Sequence, residues 1–226
     1  MRAPVSVIIP TLNARDALPG CLSALFEGVR LGVIRELILV DGGSRDGTIA
    51  LGQEAGAQVI RAAPSRGGQL RAGADAARGD WLLFLHADTC LGEGWSAVVL
   101  AHLEAETRAG YFRLRFDDGG LAARIVAGWA NLRARLFGLP YGDQGLLVSR
   151  ALYEARGGYG DMPLMEDVAL ARALRGALGP LDGVAVTSAE KYRRQGWVRR
   201  GGRNLWTLTR YLMGVSPERL ARAYRR

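Results

Sequence analysis

Apolar positions fall into short runs separated by longer stretches of mixed character. The runs Val5–Ile9, Glu36–Val40, Ala57–Ile60, Asp80–Leu85, Tyr111–Phe116, Gly145–Val148 and Val184–Thr187 read as strands. Helical spacing occupies the segments near Asp16–Val29, Asp46–Ala55 and Gly67–Ala77, with Asp16 and Asp46 placed as N-terminal caps or first-turn acids. This alternation predicts an α/β fold: a right-handed, mostly parallel central sheet with helices on both faces. The stretch "DWLLFLHADTC" is its clearest piece. Trp81 to Leu85 run without a polar interruption, as in a strand buried on both faces, and then stop at His86, Ala87 and Asp88. Beyond residue 105 the alternation loosens into longer loops around 117–120 and 138–145. The series Ile125, Trp129, Leu132, Leu136 reads as one helix face packed on the core.

Composition narrows the class. A chain of 226 residues suffices for one α/β domain, and 49% apolar content argues against disorder. Two cysteines without a CxxC pair and two histidines exclude a disulfide framework and a multi-histidine or thiolate zinc site. A reducing cytoplasm is the expected location. The opening "MRAPVSVIIP" is stopped by Pro10 too early for a signal sequence, and no stretch reaches the roughly 18 apolar residues that span a bilayer.

The net charge of +8 has a definite address. Residues 190–226 hold eleven basic and two acidic side chains, whereas the first 189 hold nineteen and twenty. Positions 205, 208 and 212 share a face, which predicts an amphipathic helix after Gly202. Three readings of this tail compete. It is a helix packed on the domain with solvated arginines, or a peripheral contact with the inner face of the membrane. There each basic residue near anionic lipid contributes about 1 kcal/mol. Third comes nucleic-acid binding, the weakest, because the rest of the chain is near neutral and carries no recognition motif.

Common nucleotide motifs fail. "DGGSRDG" has Ser44 where a dinucleotide fingerprint needs glycine, and the single lysine, Lys191, lies far from any P-loop. Acids nevertheless gather where ligands bind in open α/β sheets, at strand ends: Asp41, Asp88, and then Glu166–Asp167 at a helix start. Each has a plain account taken singly, as a turn residue or a partner of the helix dipole. Neighbouring parallel strands lie about 4.8 Å apart, so Asp41 and Asp88 can converge on one ligand. Gathered carboxylates repel unless a cation lies between them, and Mg²⁺ or Mn²⁺ commonly bridges such oxygens to phosphates. A metal-bound diphosphate is the reading that follows.

The blocks "VSVIIPTLN", "ELILVDGGSRDGT", "RGGQLRAGADAARGDWLLFLHADT" and "GGYGDMPLMEDVALARAL", in this order, resemble the family 2 glycosyltransferases of GT-A (Rossmann-like) fold over about residues 4–178. The nearest likeness is a small bacterial subgroup with a His-Ala-Asp metal motif. The resemblance implies an inverting glycosyltransferase with a nucleoside-diphosphate sugar donor, UDP-linked first, and a divalent metal, Mn²⁺ or Mg²⁺. It implies that Pro10, Thr11 and Asn13 contact the nucleotide, that Asp41 hydrogen-bonds the base, and that Arg66 and Arg71 close over base and diphosphate. Asp88 then reaches the metal, with His86 beside the nucleotide in place of the motif's first acid, and Asp167 is the catalytic base supported by Glu166. Asp143 and Gln144 lie in the region that faces the acceptor, a hydroxyl or lipid-linked compound; the residues Gly157, Gly158 and Tyr159 themselves read as a loop just before the base that flexes over the acceptor. Arg193, Arg194, Gln195 and Trp197 resemble a late block that contacts diphosphate.

The expected organisation is a transferase domain over 1–189, with a donor half to about 90 and an acceptor half beyond, then the basic tail 190–226. A nucleotidyltransferase is the rival enzyme, but the first loop, "PTLNARDAL", lacks the glycines that would grip a triphosphate. The other rival is a catalytically weak nucleotide-binding module at the membrane surface.

Overall fold

The structure, a computed structural model, describes residues 3–105 and 108–224. It begins β1 (Val5–Thr11), α1 (Leu18–Arg30), β2 (Ile34–Asp41), α2 (Thr48–Glu54), β3 (Gln58–Arg61), α3 (Arg66–Ala76) and β4 (Trp81–Phe84). After it come β5 (Thr89–Leu91), α4 (Trp95–Ala105), β6 (Ala109–Phe116), α5 (Leu121–Phe137), a 3₁₀ turn at Gly142–Gln144, β7 (Leu146–Ser149), α6 (Arg150–Ala155), α7 (Glu166–Ala173) and β8 (Leu178–Thr187). The tail forms α8 (Glu190–Gln195), α9 (Trp197–Leu212) and α10 (Pro217–Tyr224), and its last two arginines lie outside the described residues.

One sheet runs in the order β3-β2-β1-β4-β7-β6-β8-β5. Strands β3, β2, β1 and β4 are mutually parallel, β7 is antiparallel to β4 and β6, and β8 is parallel to β6. The uninterrupted apolar run of β4 serves both faces. Leu83 and Leu85 enter one core cluster with Leu18, Leu25 and Trp95, and Leu82 and Phe84 enter another with Leu70 and Leu170. α1 and α4 thus cover one face, and α3 and α7 the other. All seven expected strands are present. β5, three residues antiparallel to β8, was too short to register as a periodic pattern.

Three local expectations are corrected. Asp16 caps nothing: α1 starts at Leu18 behind Ala17, with no side-chain cap. Asp46 is not the N-cap of α2 either, a place taken by Gly47; from just outside the helix it accepts the Thr48 amide at 3.1 Å and the Arg15 amide at 3.0 Å. The Ile125–Leu136 stripe is not core, with Trp129 47% and Leu136 64% exposed. α5 instead turns Ala123, Ala127, Ala130 and Ala134 inward, with Arg133, and the first three pack with Leu114 and Phe116 of β6. Periodicity finds both stripes but does not say which one packs. The tail helix starts at Trp197 rather than after Gly202, burying Leu208 while Leu205 and Leu212 stay exposed. Leu208 and Leu220 pack on Met165 and Val168, so the inner side of the tail is folded on the domain. Among the described residues no helix is long and apolar enough to cross a membrane.

Candidate active site

The ends of β1 and β2 are tied into one rigid lip. Asp41, buried at the end of β2, accepts the Gly43 and Ser44 amides at 2.8 Å each on Oδ2 and the Thr11 and Ser44 hydroxyls on Oδ1. Burial works to raise its carboxyl, but these hydrogen bonds hold it below the usual range. Four donors use the acceptor capacity of a carboxylate, so a contact to a nucleobase would replace one of them. Asn13 sits at φ +50, a conformation asparagine tolerates, and clamps the opposite loop by donating to Ser44 Oγ at 2.8 Å and accepting from the Arg45 amide at 2.9 Å. Gln69, buried on α3, donates to the Thr11 and Val40 carbonyls at 2.9 and 2.7 Å.

Beyond β4, Asp88 lies 3.2 Å from Lys191 Nζ on α8. His86 is within electrostatic reach of Arg66, Asp88 and Lys191. Burial and then Arg66 push its imidazole well below its usual range, which leaves it neutral near pH 7. Its Nε2 rests against Gly142, where an added Cβ would approach to 2.3 Å, so only glycine fits the turn at that point. The Gly142 amide donates in turn to Asp167 Oδ2 at 2.9 Å. Metal motif, 3₁₀ turn and α7 therefore meet at one residue.

Glu166 and Asp167 open α7 behind Met165, a bulky residue at φ +68. Left-handed geometry at such a side chain is strained and persists only where its surroundings fix it. Glu166 is buried and faces Arg66 at 3.6 Å. Burial, then Asp167, raises its carboxyl, and Arg66 opposes them. Asp143 stands close enough to Arg133, Asp167, Asp88 and Arg66 for all four to act on its charge. Arg133 is buried on the inner side of α5, with Cζ 3.5 Å above the Tyr141 ring and Nε donating to the Leu139 carbonyl at 3.0 Å. Four carboxylates (Asp88, Asp143, Glu166 and Asp167), three cations (Arg66, Arg133 and Lys191) and a neutral imidazole thus share one site beyond the carboxyl end of β4.

The sequence profile described as glycosyl transferase family 2 matches residues 6–140, more than half of the chain. The chain belongs to glycosyl transferase family 2. A "PGL/p-HBAD biosynthesis glycosyltransferase" of Mycobacterium bovis, with counterparts in Mycobacterium tuberculosis, is 41% identical over 101 residues, covering 41% of this chain and 39% of the relative. The family 2 chain spans about two fifths of the length of these curated relatives. Among solved structures, S. aureus TarS 1–349 in complex with UDP aligns at TM-score 0.63 and 16% identity, over 84% of this chain and 62% of that one. Glucosyl-3-phosphoglycerate synthase from Mycobacterium tuberculosis, with Mn²⁺ and UDP-glucose, aligns at TM-score 0.56 and 22% identity, over 82% and 69%. These likenesses establish the GT-A fold.

Several expected residues of the family 2 chain do not face the site. Arg71 is exposed and acts on Tyr153, because five residues turn an α-helix by about 140° away from Arg66. Gln144 is fully buried, donating to the Phe112 carbonyl at 3.2 Å and accepting from the Tyr141 amide at 3.3 Å. It holds the turn and offers nothing to an acceptor. Tyr159, 3% exposed, packs on Phe84 with ring centroids 4.9 Å apart, and Gly158 is pressed against Tyr153. That loop is core. In the tail, Arg193 pairs with Asp117 and Asp118 at 3.5 Å each, Gln195 accepts from Arg200 and Arg203, and Trp197 stacks on Tyr192. Lys191 and Arg133 went unnoticed in the sequence. The only signal for Lys191 is that it is the single lysine in an arginine-rich chain; Arg133 gives none, since an arginine on an amphipathic helix reads as solvated.

Proposed function

We propose that the chain is an inverting glycosyltransferase that moves a sugar from a nucleoside diphosphate, uridine first, to an acceptor hydroxyl. The observation that supports this most is the meeting of Asp88, Lys191 and Arg66 with Asp143, Glu166 and Asp167 around Gly142 and His86. One side of the site offers cations to a departing diphosphate, and the other offers carboxylates to an acceptor proton. The donor half is residues 1–90 and the acceptor half 91–189, with the tail lending Lys191. TarS and the synthase carry UDP and UDP-glucose in their complexes, which favours a uridine donor.

Among the described residues no three metal-ligating side chains converge. Asp88 is ionised and His86 is a neutral imidazole, at most two protein donors. That set fits an ion shared with substrate phosphates, the usual arrangement for Mg²⁺. Asp88, with His86 beside it, would hold Mn²⁺ or Mg²⁺ once Lys191 releases the carboxylate, and a bound ion would supply Lewis-acid stabilisation of charge on the leaving diphosphate. Arg66 and Lys191 pair with phosphate oxygens on either side. The loop of Pro10, Thr11 and Asn13 with Asp41 borders the nucleoside. The acceptor oxygen attacks the anomeric carbon from the α7 side. The family resemblance puts the base on Asp167, with Glu166 supporting it.

Thermal shift with UDP, GDP, CDP and ADP, each with and without Mn²⁺, tests this reading. A ligand that binds only the folded state at a hundredfold excess over Kd stabilises it by about 2.7 kcal/mol. The expected result is a rise in Tm with UDP that Mn²⁺ enlarges. A flat response to all four would overturn the assignment.

The exposed surface bears on the acceptor. Leu121, Ile125, Trp129, Leu132 and Leu136 line the outward face of α5, and α9 exposes Leu205, Trp206 and Leu212 beside it. Phe137 and Leu212, at the ends of these helices, border one groove with Arg172 and Arg175. An exposed apolar patch rimmed by arginine fits a bilayer interface. This reading adds a peripheral membrane contact and a lipid-linked acceptor to the transferase. Co-sedimentation with vesicles containing anionic lipid should fall at least tenfold for Trp129→Asp. A wild-type chain that ignores vesicles but dimerises through Trp129 would assign the stripe to a second copy instead.

A further inference from the structure

We propose that Gly67 and Asp161 are positioning residues, and that the crossing of their two segments sets the gap between Arg66 on the diphosphate side and Asp167 on the acceptor side. This rests on the transferase reading above, which gives Arg66 and Asp167 those roles. In a displacement with inversion the leaving diphosphate and the incoming hydroxyl stand on opposite sides of one carbon. The groups that serve them must keep a fixed separation, because reacting atoms have to come within about 3–3.5 Å in the right alignment.

The segment 159–165 leads into α7 and is held at both ends. At its start the Tyr159 amide donates to the Tyr153 hydroxyl at 2.9 Å, and the Tyr159 ring packs on Phe84. At its end Met165 takes φ +68 directly before Glu166 and Asp167. Between these points the chain lies across the first turn of α3. The Gly67 amide donates to the Met162 carbonyl at 3.1 Å. The Ser65 hydroxyl donates to Asp161 Oδ1 at 2.5 Å, across 96 residues of sequence. Ser65 makes no side-chain cap on its own helix, so its hydroxyl serves this crossing instead. The exposed Asp161 carboxylate also brings negative charge to the start of α3, where the helix dipole favours it.

The pair Gly67–Gly68 is what lets the two backbones approach. A Cβ on Gly67 would come to 2.2 Å from the Gly160 carbonyl oxygen and 2.9 Å from the Met162 nitrogen, and one on Gly68 to 2.7 Å from Asp161 Oδ1. Both glycines have ordinary negative φ, so close approach, not backbone conformation, accounts for them. Glycine weakens a helix, and two in the first turn of α3 are explained by the segment that crosses there. The same turn is fastened to the donor lip by Gln69, which reaches the Thr11 and Val40 carbonyls. One turn of α3 thus joins the ends of β1 and β2 to the segment before α7. Arg66 lies within that turn, 3.6 Å from Glu166.

The test is UDP release from UDP-glucose with glycerol as acceptor, together with a crystal structure of Gly67→Ala bound to UDP. In that variant the Arg66–Asp167 gap should widen by about 1 Å, and kcat should fall about 10²-fold. The donor KM and the UDP-induced thermal shift should hold, because Gln69 keeps α3 on the donor lip. Asp161→Ala should lower kcat about tenfold, the scale of one hydrogen bond to a charged group. Asp161→Asn should restore it, since the amide oxygen still accepts from Ser65. Ser65→Ala should match Asp161→Ala, and the double variant should cost no more than either. A contact that only stabilises the fold would lower Tm and leave the kcat of the folded enzyme and the gap unchanged, and that result overturns the proposal. So does an unchanged gap in Gly67→Ala, whatever the assay reads, or loss of the UDP shift together with turnover. Wild-type protein that neither binds UDP nor releases it from UDP-glucose would instead remove the transferase reading. Failure of the variants beside an active wild type removes only this inference.

Discussion

Asp88→Asn is expected to lower turnover by about 10²- to 10³-fold, the loss seen when a preorganised charge-stabilising group is removed, while the protein stays folded. Burial works to raise the Asp88 carboxyl, but the His86 position, Lys191 and Arg66 outweigh it, so the group is ionised throughout the neutral range. Asparagine keeps the shape and removes the charge. Lys191 is 55% exposed and reaches water when its partner is gone, so Tm should change little. The Mn²⁺-dependent part of the UDP thermal shift should disappear with the carboxylate. Unchanged turnover would mean that Arg66 and Lys191 alone meet the charge of the leaving diphosphate.

Gly142→Ala is the second large effect, and it acts through geometry. The new methyl would lie 2.3 Å from His86 Nε2 and 2.8 Å from Cε1, atoms of a ring that cannot flex away from its own plane. Overpacking of this kind costs about 1–3 kcal/mol of stability. The turn must shift, and with it both the amide bonded to Asp167 and the Asp143 side chain. A displacement near 1 Å at reacting groups costs about 10²-fold in rate. A fall in kcat of that size with a modest drop in Tm is expected. Full activity would show that His86 and the turn are not packed as a unit during turnover.

Much of the site was legible because its parts sit at ends of periodic runs. Asp41 and Asp88 end strands whose apolar runs are unmistakable, and Glu166–Asp167 open a helix of clear pattern. Arg66 faces Glu166 from the first turn of α3, whereas Arg71, five residues on, lies on another side of that helix. Gln144 and Tyr159 look like binding residues in a string, being polar or aromatic near glycines, but tertiary contacts consume both. Asp143 was marked only by the family resemblance; that its Oδ1 is buried without a partner depends on the folded surroundings, with Arg133 ten residues earlier on another element.

The sequence by itself determined the α/β alternation, the buried parallel strands and the acids at their carboxyl ends, because backbone periodicity and burial on two faces are local properties. It also located the excess positive charge in the tail. Only the tertiary structure decided which side of α5 packs, since two stripes of equal period differ only in what lies opposite them. It brought Lys191 across 103 residues to Asp88 and set Arg133 within reach of Asp143. Electrostatic partners of that kind are fixed by distance in space, which the order of residues does not encode.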